Sequence, residues 1–227
     1  MRLPAAATWL LPASAAVIPP VARAYGLERR LGHERGVAVT FDDGPHAEGT
    51  PAVLEQLGAR GARGTFFLVG EQVARHPALA RRIVDEGNEV AIHGFRHTLL
   101  LRRRTGEVAD DLTRCLAAIE DATGVSPSLY RPPYGVFSSG ALAHVRGRGW
   151  VPLLWSTWGR DWRRRTSAAE IARLATRRLQ AGDVVLLHDS DAYSSADSWR
   201  RTAAALPSVL DAVAALGVPA VSVSQST

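Results

Sequence analysis

Seven strand-like runs alternate with six helix-like runs along this chain of 227 residues, and that alternation limits its fold more than any other feature. Short β-branched or aromatic runs read as strands at Val37 to Phe41, Thr65 to Val69, Glu89 to Ile92, Ser128 to Arg131, Val151 to Trp155, Val184 to Leu187 and Val218 to Val223. Helical spacing fills the gaps at Pro51 to Arg60, Glu71 to Glu86, Gly106 to Ala122, Ser139 to Arg148, Ala168 to Gln180 and Trp199 to Leu216. Gly61, Gly87, Gly124, Gly149, Gly182 and Gly217 each follow a helix candidate, as left-handed C-terminal caps do. Ser167-Ala168-Ala169-Glu170 has the form of a capping box at the start of the fifth helix, where two orphan N–H groups are satisfied reciprocally. Strands separated by helices run parallel through right-handed crossovers, which leaves an open doubly wound sheet or a closed barrel. There is no glycine-rich phosphate loop. The expected architecture is α/β, a distorted or incomplete (β/α) barrel of about seven parallel strands, with its chemistry on the loops that follow the strands.

With 46% hydrophobic and 22% charged residues the chain can bury an ordinary core, and one domain is the default. Residues 37–227 carry the alternating pattern; residues 1–36 form an apolar, proline-rich segment ahead of it. The net charge of +5 comes wholly from arginine, since the chain has no lysine. The arginines are dispersed, and the clusters Arg102 to Arg104 and Arg163 to Arg165 lack the interleaved aromatics of a nucleic-acid module, so no nucleic-acid partner is expected. An anionic polymer or a membrane surface suits the charge equally well. The single cysteine, Cys115, excludes an internal disulfide framework, and its helical spacing with Leu112, Leu116 and Ile119 reads as a buried structural thiol. Leu3 to Ala22 follows Arg2 and carries no charge, like a signal peptide or membrane anchor, and Ala22-Arg23-Ala24 offers a small-residue cleavage site. That reading points to the cell envelope or to secretion, with membrane association through the N-terminus. Pro4, Pro12, Pro19 and Pro20 interrupt the run, each costing a helix interior about 3 kcal/mol, so a packed extension fits as well.

The segment TFDDGP, Thr40 to Pro45, sets two adjacent carboxylates at the end of the first strand. Successive side chains on an extended backbone point in opposite directions, so Asp42 and Asp43 can serve two different groups, one a metal and the other a proton. A solvated acidic turn capping the next helix is the plainer reading of an isolated pair. Partners come from HGFRH after the third strand, where His93 and His97 stand four residues apart, a separation that lets both imidazoles meet one ion. Two histidines and one carboxylate leave coordination positions open, as in catalytic zinc and non-haem iron sites, and spacing does not choose between the metals. RPPYG follows the fourth strand, GRDW the fifth, and LLHD ends the sixth. Singly these are a surface charge, a turn, a cap and a polar strand end. Together they place an acid–base set around one rim.

The ordered set TFDDGP, HGFRH, RPPYG, DW and LLHD resembles the five motifs of the polysaccharide deacetylase family, also called the NodB-homology domain or carbohydrate esterase family 4, from about Val37 to the C-terminus. The resemblance implies a metal-dependent hydrolase on a distorted (β/α) barrel that removes acetyl groups from N-acetylated sugars in chitin or peptidoglycan, or from acetylated xylan. By position it implies that Asp43, His93 and His97 hold one divalent ion, zinc or another divalent transition metal, and that Asp42 is the general base. It implies further that the backbone N–H of Tyr134 stabilises the developing oxyanion and that His188 protonates the departing amine. Asp161 matches the partner of that histidine, Arg131 the group orienting the base, and Trp162 and Leu186 the walls around the acetyl methyl. Gly94 stands where the family carries Ser or Thr, removing a hydroxyl that could brace the metal loop.

Around these motifs, Thr98 to Leu101 with Arg102 to Arg104 read as core plus a solvated face, or as a lip for an extended substrate. Trp155, Trp158, Trp162 and Trp199 offer either sugar-stacking faces or core. Asp189 to Trp199 is polar and long enough to lie over the site. An O-acetyl esterase, or an inactive carbohydrate-binding relative, is the alternative to an N-deacetylase acting on an N-acetylated carbohydrate.

Overall fold

The computed structural model of the chain describes residues 11–224, so Leu3 to Leu10 of the uncharged N-terminal run lie outside the described residues. Its eight strands are β1 (Val37–Asp42), β2 (Thr65–Leu68), β3 (Glu89–Ile92), β4 (Leu129–Tyr130), β5 (Val151–Pro152), β6 (Thr157–Trp158), β7 (Val184–His188) and β8 (Ala220–Val221). The helices are α1 (Pro19–Ala24), α2 (Gly49–Gly58), α3 (Gly70–Arg75), α4 (Pro77–Asp85), α5 (Thr105–Thr123), α6 (Ser139–Gly147), α7 (Ala168–Thr176) and α8 (Ser198–Ala214). Seven strands form one parallel path in the order β5-β4-β3-β2-β1-β7-β6, curled into a half-barrel, and β8 pairs with the start of β1.

β1 lies inside the path, between β2 and β7, and all six of its residues are buried. Its alternating side chains divide between two environments. On one face Phe41 stacks on Phe66 at 4.9 Å, and with Leu57 of α2 it closes tightly around Gly64. On the other face Thr40 and Asp42 point into the barrel, where both meet the Arg131 guanidinium. The barrel interior is therefore polar at its centre. Cys115 of α5 is fully buried, its thiol donating to the Leu68 carbonyl at 3.5 Å, and burial pushes its pKa up to about 12.

Three local differences from the sequence pattern have physical causes. The expected helix Glu71 to Glu86 is two helices, because Pro77 lacks an N–H and forces His76 out of the helical region, to φ −133° and ψ 54°. The run Val151 to Trp155 ends as a strand at Pro152; a new two-residue strand, Thr157–Trp158, then pairs with β7, supplying the last member of the path. At α7, Ser167 Oγ accepts from the Glu170 N–H at 3.2 Å, one half of the expected box, while the Glu170 carboxylate lies 3.8 Å from Arg173. The glycines after the helices do take left-handed backbones, as at Gly124, φ 73°, which closes the long helix α5.

The segment before β1 packs along the barrel. Ala15, Ala16, Ala22 and Leu27 are buried in the common core. The Leu154 N–H donates to the Glu28 carbonyl at 2.7 Å and the Leu31 N–H to the Gly182 carbonyl at 2.8 Å, so the segment runs from the edge strand β5 to the approach of β7. Among the described residues no helix is long and apolar enough to cross a membrane.

Candidate active site

All the chemistry-bearing motifs converge on the C-terminal ends of the strands, around a cavity of about 220 Å³. Asp42, Asp43, His93, His97, Tyr134, Trp162, Leu186 and His188 line it, whereas Arg131 and Asp161 lie fully buried behind its wall.

The two adjacent acids do not diverge as extended backbone would have them do. β1 ends at Asp42, and Asp43 turns into the left-handed region at φ 80°, a conformation that aspartate tolerates better than most side chains. Both carboxylates consequently face one cavity. His93 Nε2 lies 3.4 Å from Asp43 Oδ1 and 3.8 Å from Asp42 Oδ2, and His97 Nε2 lies 3.2 Å from Asp43 Oδ1.

The His93 ring is fixed by its other nitrogen, 2.8 Å from the Arg131 carbonyl, to which Nδ1–H donates. In the neutral ring Nε2 is then a lone pair aimed at a carboxylate oxygen. Two acceptors face each other, and only a proton or a cation between them makes the contact favourable. Burial would raise the Asp43 carboxyl, but the two imidazoles and the charge of His188 hold it far below the usual carboxylate range. Asp43 Oδ1 and His97 Nδ1 are buried without a hydrogen-bond partner among the described residues. Ligand atoms of Asp43, His93 and His97 all lie within 4.8 Å of one another. This donor set, one carboxylate and two imidazoles with room beside them, fits a divalent ion of the zinc type.

Asp42 is held from behind. Arg131 Nη1 donates to Asp42 Oδ1 at 2.6 Å and to Thr40 Oγ1 at 2.9 Å, while Nε and Nη2 donate to the carbonyls of Leu153 and Leu154. The guanidinium also stacks 3.9 Å over the Phe67 ring. Burial lowers the pKa of Arg131, and the charge and hydrogen bond of Asp42 oppose that shift. Asp42 Oδ2 remains directed toward the cavity.

His188 faces Asp42 in register across the β1–β7 ladder. Burial would lower its pKa, but Asp161 Oδ1, 2.9 Å from Nδ1, and the charges of Asp43 and Asp42 raise it to about 10. Trp162 packs edge-on to the His188 ring at 5.5 Å. Tyr134 sits in a tight turn at φ 61° and ψ 5°, a left-handed backbone that presents the residue at the cavity mouth.

The neighbours left open between site and core divide between the two. Trp155 and Trp158 line the cavity beside Trp162, but Trp199 is buried under the rim near His46. Tyr193 and Ser194, from the polar loop after β7, complete the wall. Asp189 follows His188 and is fully buried against Thr50, whose hydroxyl donates to it; burial and the Asp43 charge raise its pKa to about 7. Leu100 belongs to the core and Arg102 and Arg104 are exposed, and none of Thr98 to Arg104 lines the cavity.

The fold and the site together define a (β/α) half-barrel protein with a metal-compatible centre and an aspartate and a histidine facing each other at its strand ends. A sequence model described as polysaccharide deacetylase matches residues 30–150, just over half of the chain, and the chain belongs to that family. It is 34% identical over 157 residues to the peptidoglycan-N-acetylglucosamine deacetylase PgdA of Listeria monocytogenes, covering 67% of this chain and 32% of that protein, so it spans about a third of that relative's length. It is 38% identical over 156 residues to the chitooligosaccharide deacetylase of a Bradyrhizobium species, covering 68% of this chain and 71% of that one. Among solved structures, the family 4 carbohydrate esterase from Streptomyces lividans in complex with acetate superimposes with a TM-score of 0.73 at 31% identity, over 83% of this chain and 93% of that one.

Proposed function

We propose that this chain hydrolyses the N-acetyl group of an amino sugar in a glycan such as chitooligosaccharide or peptidoglycan, using residues 37–227 as the catalytic unit and one divalent ion, zinc or another transition metal. The observation that carries the reading is the cross-strand pairing of Asp42 with His188, a carboxylate and an imidazole facing one cavity beside the Asp43–His93–His97 cluster. The names of the Listeria and Bradyrhizobium relatives support the amide substrate.

Asp43, His93 and His97 would hold the ion, which supplies Lewis acidity, lowering the pKa of nearby water and stabilising negative charge on the carbonyl oxygen. Asp42, its Oδ1 fixed by Arg131, presents Oδ2 to accept the proton of the attacking water. The oxygen so freed adds to the acetamide carbon. The Tyr134 N–H donates to the carbonyl oxygen as charge builds there, a contribution of about 3 kcal/mol for one well-placed donor. His188, kept protonated by Asp161, gives its proton to the nitrogen as the C–N bond breaks, and acetate and a free amine result. Trp162 and Leu186 give the methyl an apolar wall.

An O-acetyl ester on a xylan-like polymer would use the same base but needs His188 less, because an alkoxide leaves more readily than an amine. A panel of N-acetylated oligosaccharides and acetylated xylan, assayed for released acetate before and after chelation, tests the proposal. Metal-dependent release from the amino sugars is expected; release from the xylan alone would shift the reading to an esterase.

A further inference from the structure

The loop between β7 and α8 is tied down at several points. Asp191 Oδ1 lies 3.3 Å from His46 Nε2, the Asp197 N–H donates to Asp191 Oδ2 at 2.7 Å, and Arg201 donates to Ser195 Oγ at 2.9 Å. Tyr193, at its centre, lies face to face on the His97 imidazole, with ring centroids 4.3 Å apart and planes 12° from parallel. Its hydroxyl donates to Glu71 Oε1 at 2.6 Å and accepts from Gln72 Nε2 at 3.1 Å. Both anchors belong to the first turn of α3. The backbone of that same turn grips the histidine loop, through Gly70 N–H to the Gly94 carbonyl and Glu71 N–H to the Phe95 carbonyl, each at 3.0 Å.

His93 and His97 are therefore oriented by different means. The His93 plane is set by the Nδ1 hydrogen bond to the Arg131 carbonyl. His97 has no counterpart, since its Nδ1 is buried without a partner among the described residues and Gly94 offers no side chain. What bounds its ring is Tyr193 on one face and Tyr134, edge-on at 4.6 Å and 66°. Tyr134 is mostly exposed and anchored at a left-handed turn, whereas Tyr193 is pinned at its far end by two side chains. A ring nitrogen that must point at an ion needs its plane fixed, because rotation about the side chain swings the lone pair off the ion.

We propose that Tyr193 is a positioning residue for His97, its stacked ring, held by Glu71 and Gln72, fixing the imidazole plane so that Nε2 points into the divalent-ion site. The inference rests on the reading of Asp43, His93 and His97 as that site. Groups that orient a metal ligand from behind typically change affinity by about 10–100-fold when removed.

The test measures zinc affinity of the full chain, stripped and reloaded, by competition with a chromophoric chelator, together with the visible spectrum of the cobalt-substituted protein. Tyr193→Ala is expected to weaken zinc binding by about 10-fold or more and to change the cobalt band, with Tyr193→Phe, which keeps the ring but loses both anchors, recovering only part of the loss. Glu71→Gln, which leaves the ring in place but weakens one anchor, is expected to fall between wild type and Tyr193→Ala, and it carries the test if the alanine variant does not fold. Wild-type zinc affinity and an unchanged cobalt spectrum in all three variants would overturn the role of Tyr193. A wild-type chain that takes up no ion, or binds it equally well as Asp43→Ala, would overturn the metal site itself.

Discussion

Asp161 grips His188 twice: Oδ1 lies 2.9 Å from the imidazole Nδ1, and Oδ2 accepts the backbone N–H of the same residue at 2.7 Å. Thr202 of α8 donates to Oδ2 at 2.8 Å, so the carboxylate is held on three sides while remaining fully buried. One acid thus sets both the position and the charge of the histidine.

Replacing that acid changes the pH behaviour in a defined direction. With Asp161 present His188 keeps its proton up to about pH 10. Asp161→Asn removes the largest raising influence, leaving only the charges of Asp43 and Asp42 to oppose burial, so the histidine's pKa falls back toward its ordinary value of about 6.5. The alkaline limb of the pH–rate profile for an N-acetyl substrate should move to lower pH by more than one unit. Stability follows the same sign. A histidine whose folded pKa is raised contributes stability below about pH 6.5, and that contribution is lost as pH rises through about 10. Denaturation at pH 6 and pH 10 should show a larger alkaline loss in wild type than in Asp161→Asn.

Arg131→Met tests the buried pair behind the base. The methionine roughly fills the stem's volume but leaves Asp42 as an uncompensated buried charge, which costs about 3–5 kcal/mol. The urea midpoint should fall accordingly. Adding Asp42→Asn removes that charge, so the double variant should recover part of the loss, a coupling that a purely steric role for Arg131 would not produce.

His188→Ala separates the proton donor from the rest of the site. On an N-acetyl substrate the rate should fall by about 10²–10⁴, as expected for loss of a general acid. On a matched O-acetyl ester the loss should be markedly smaller. Measuring kcat on the paired substrates, with zinc content checked in both proteins, gives the comparison.

Much of the site was legible in the sequence because its groups follow strands of recognisable pattern. Asp42, His93 and His188 stand at or just past the ends of β1, β3 and β7, three strands whose apolar runs are unmistakable, and a parallel sheet brings such ends to one rim. What was not legible depends on contacts across the fold. Asp43 leaves the strand at a positive φ, which period-two alternation does not foresee. Tyr193 lies in a loop without periodicity, and only the approach of α3 turns its phenol into an anchored ring over His97. Thr157–Trp158 is too short to read as a strand and is made one by pairing with β7. The break at Pro77 was visible in principle, but the apolar residues on either side kept helical spacing across it.

One divalent ion at Asp43, His93 and His97, beside Asp42, is proposed to make this chain an amidase for acetylated amino sugars. Acetate release from an N-acetylglucosamine oligomer, followed while a chelated sample is titrated with zinc, tests it most directly. Activity should be absent after chelation and rise to a plateau at one equivalent, while Asp42→Asn binds the ion and Asp43→Asn regains nothing. Undiminished turnover by the metal-free chain, or a zinc-loaded chain that releases no acetate from any N-acetylated glycan, would contradict it.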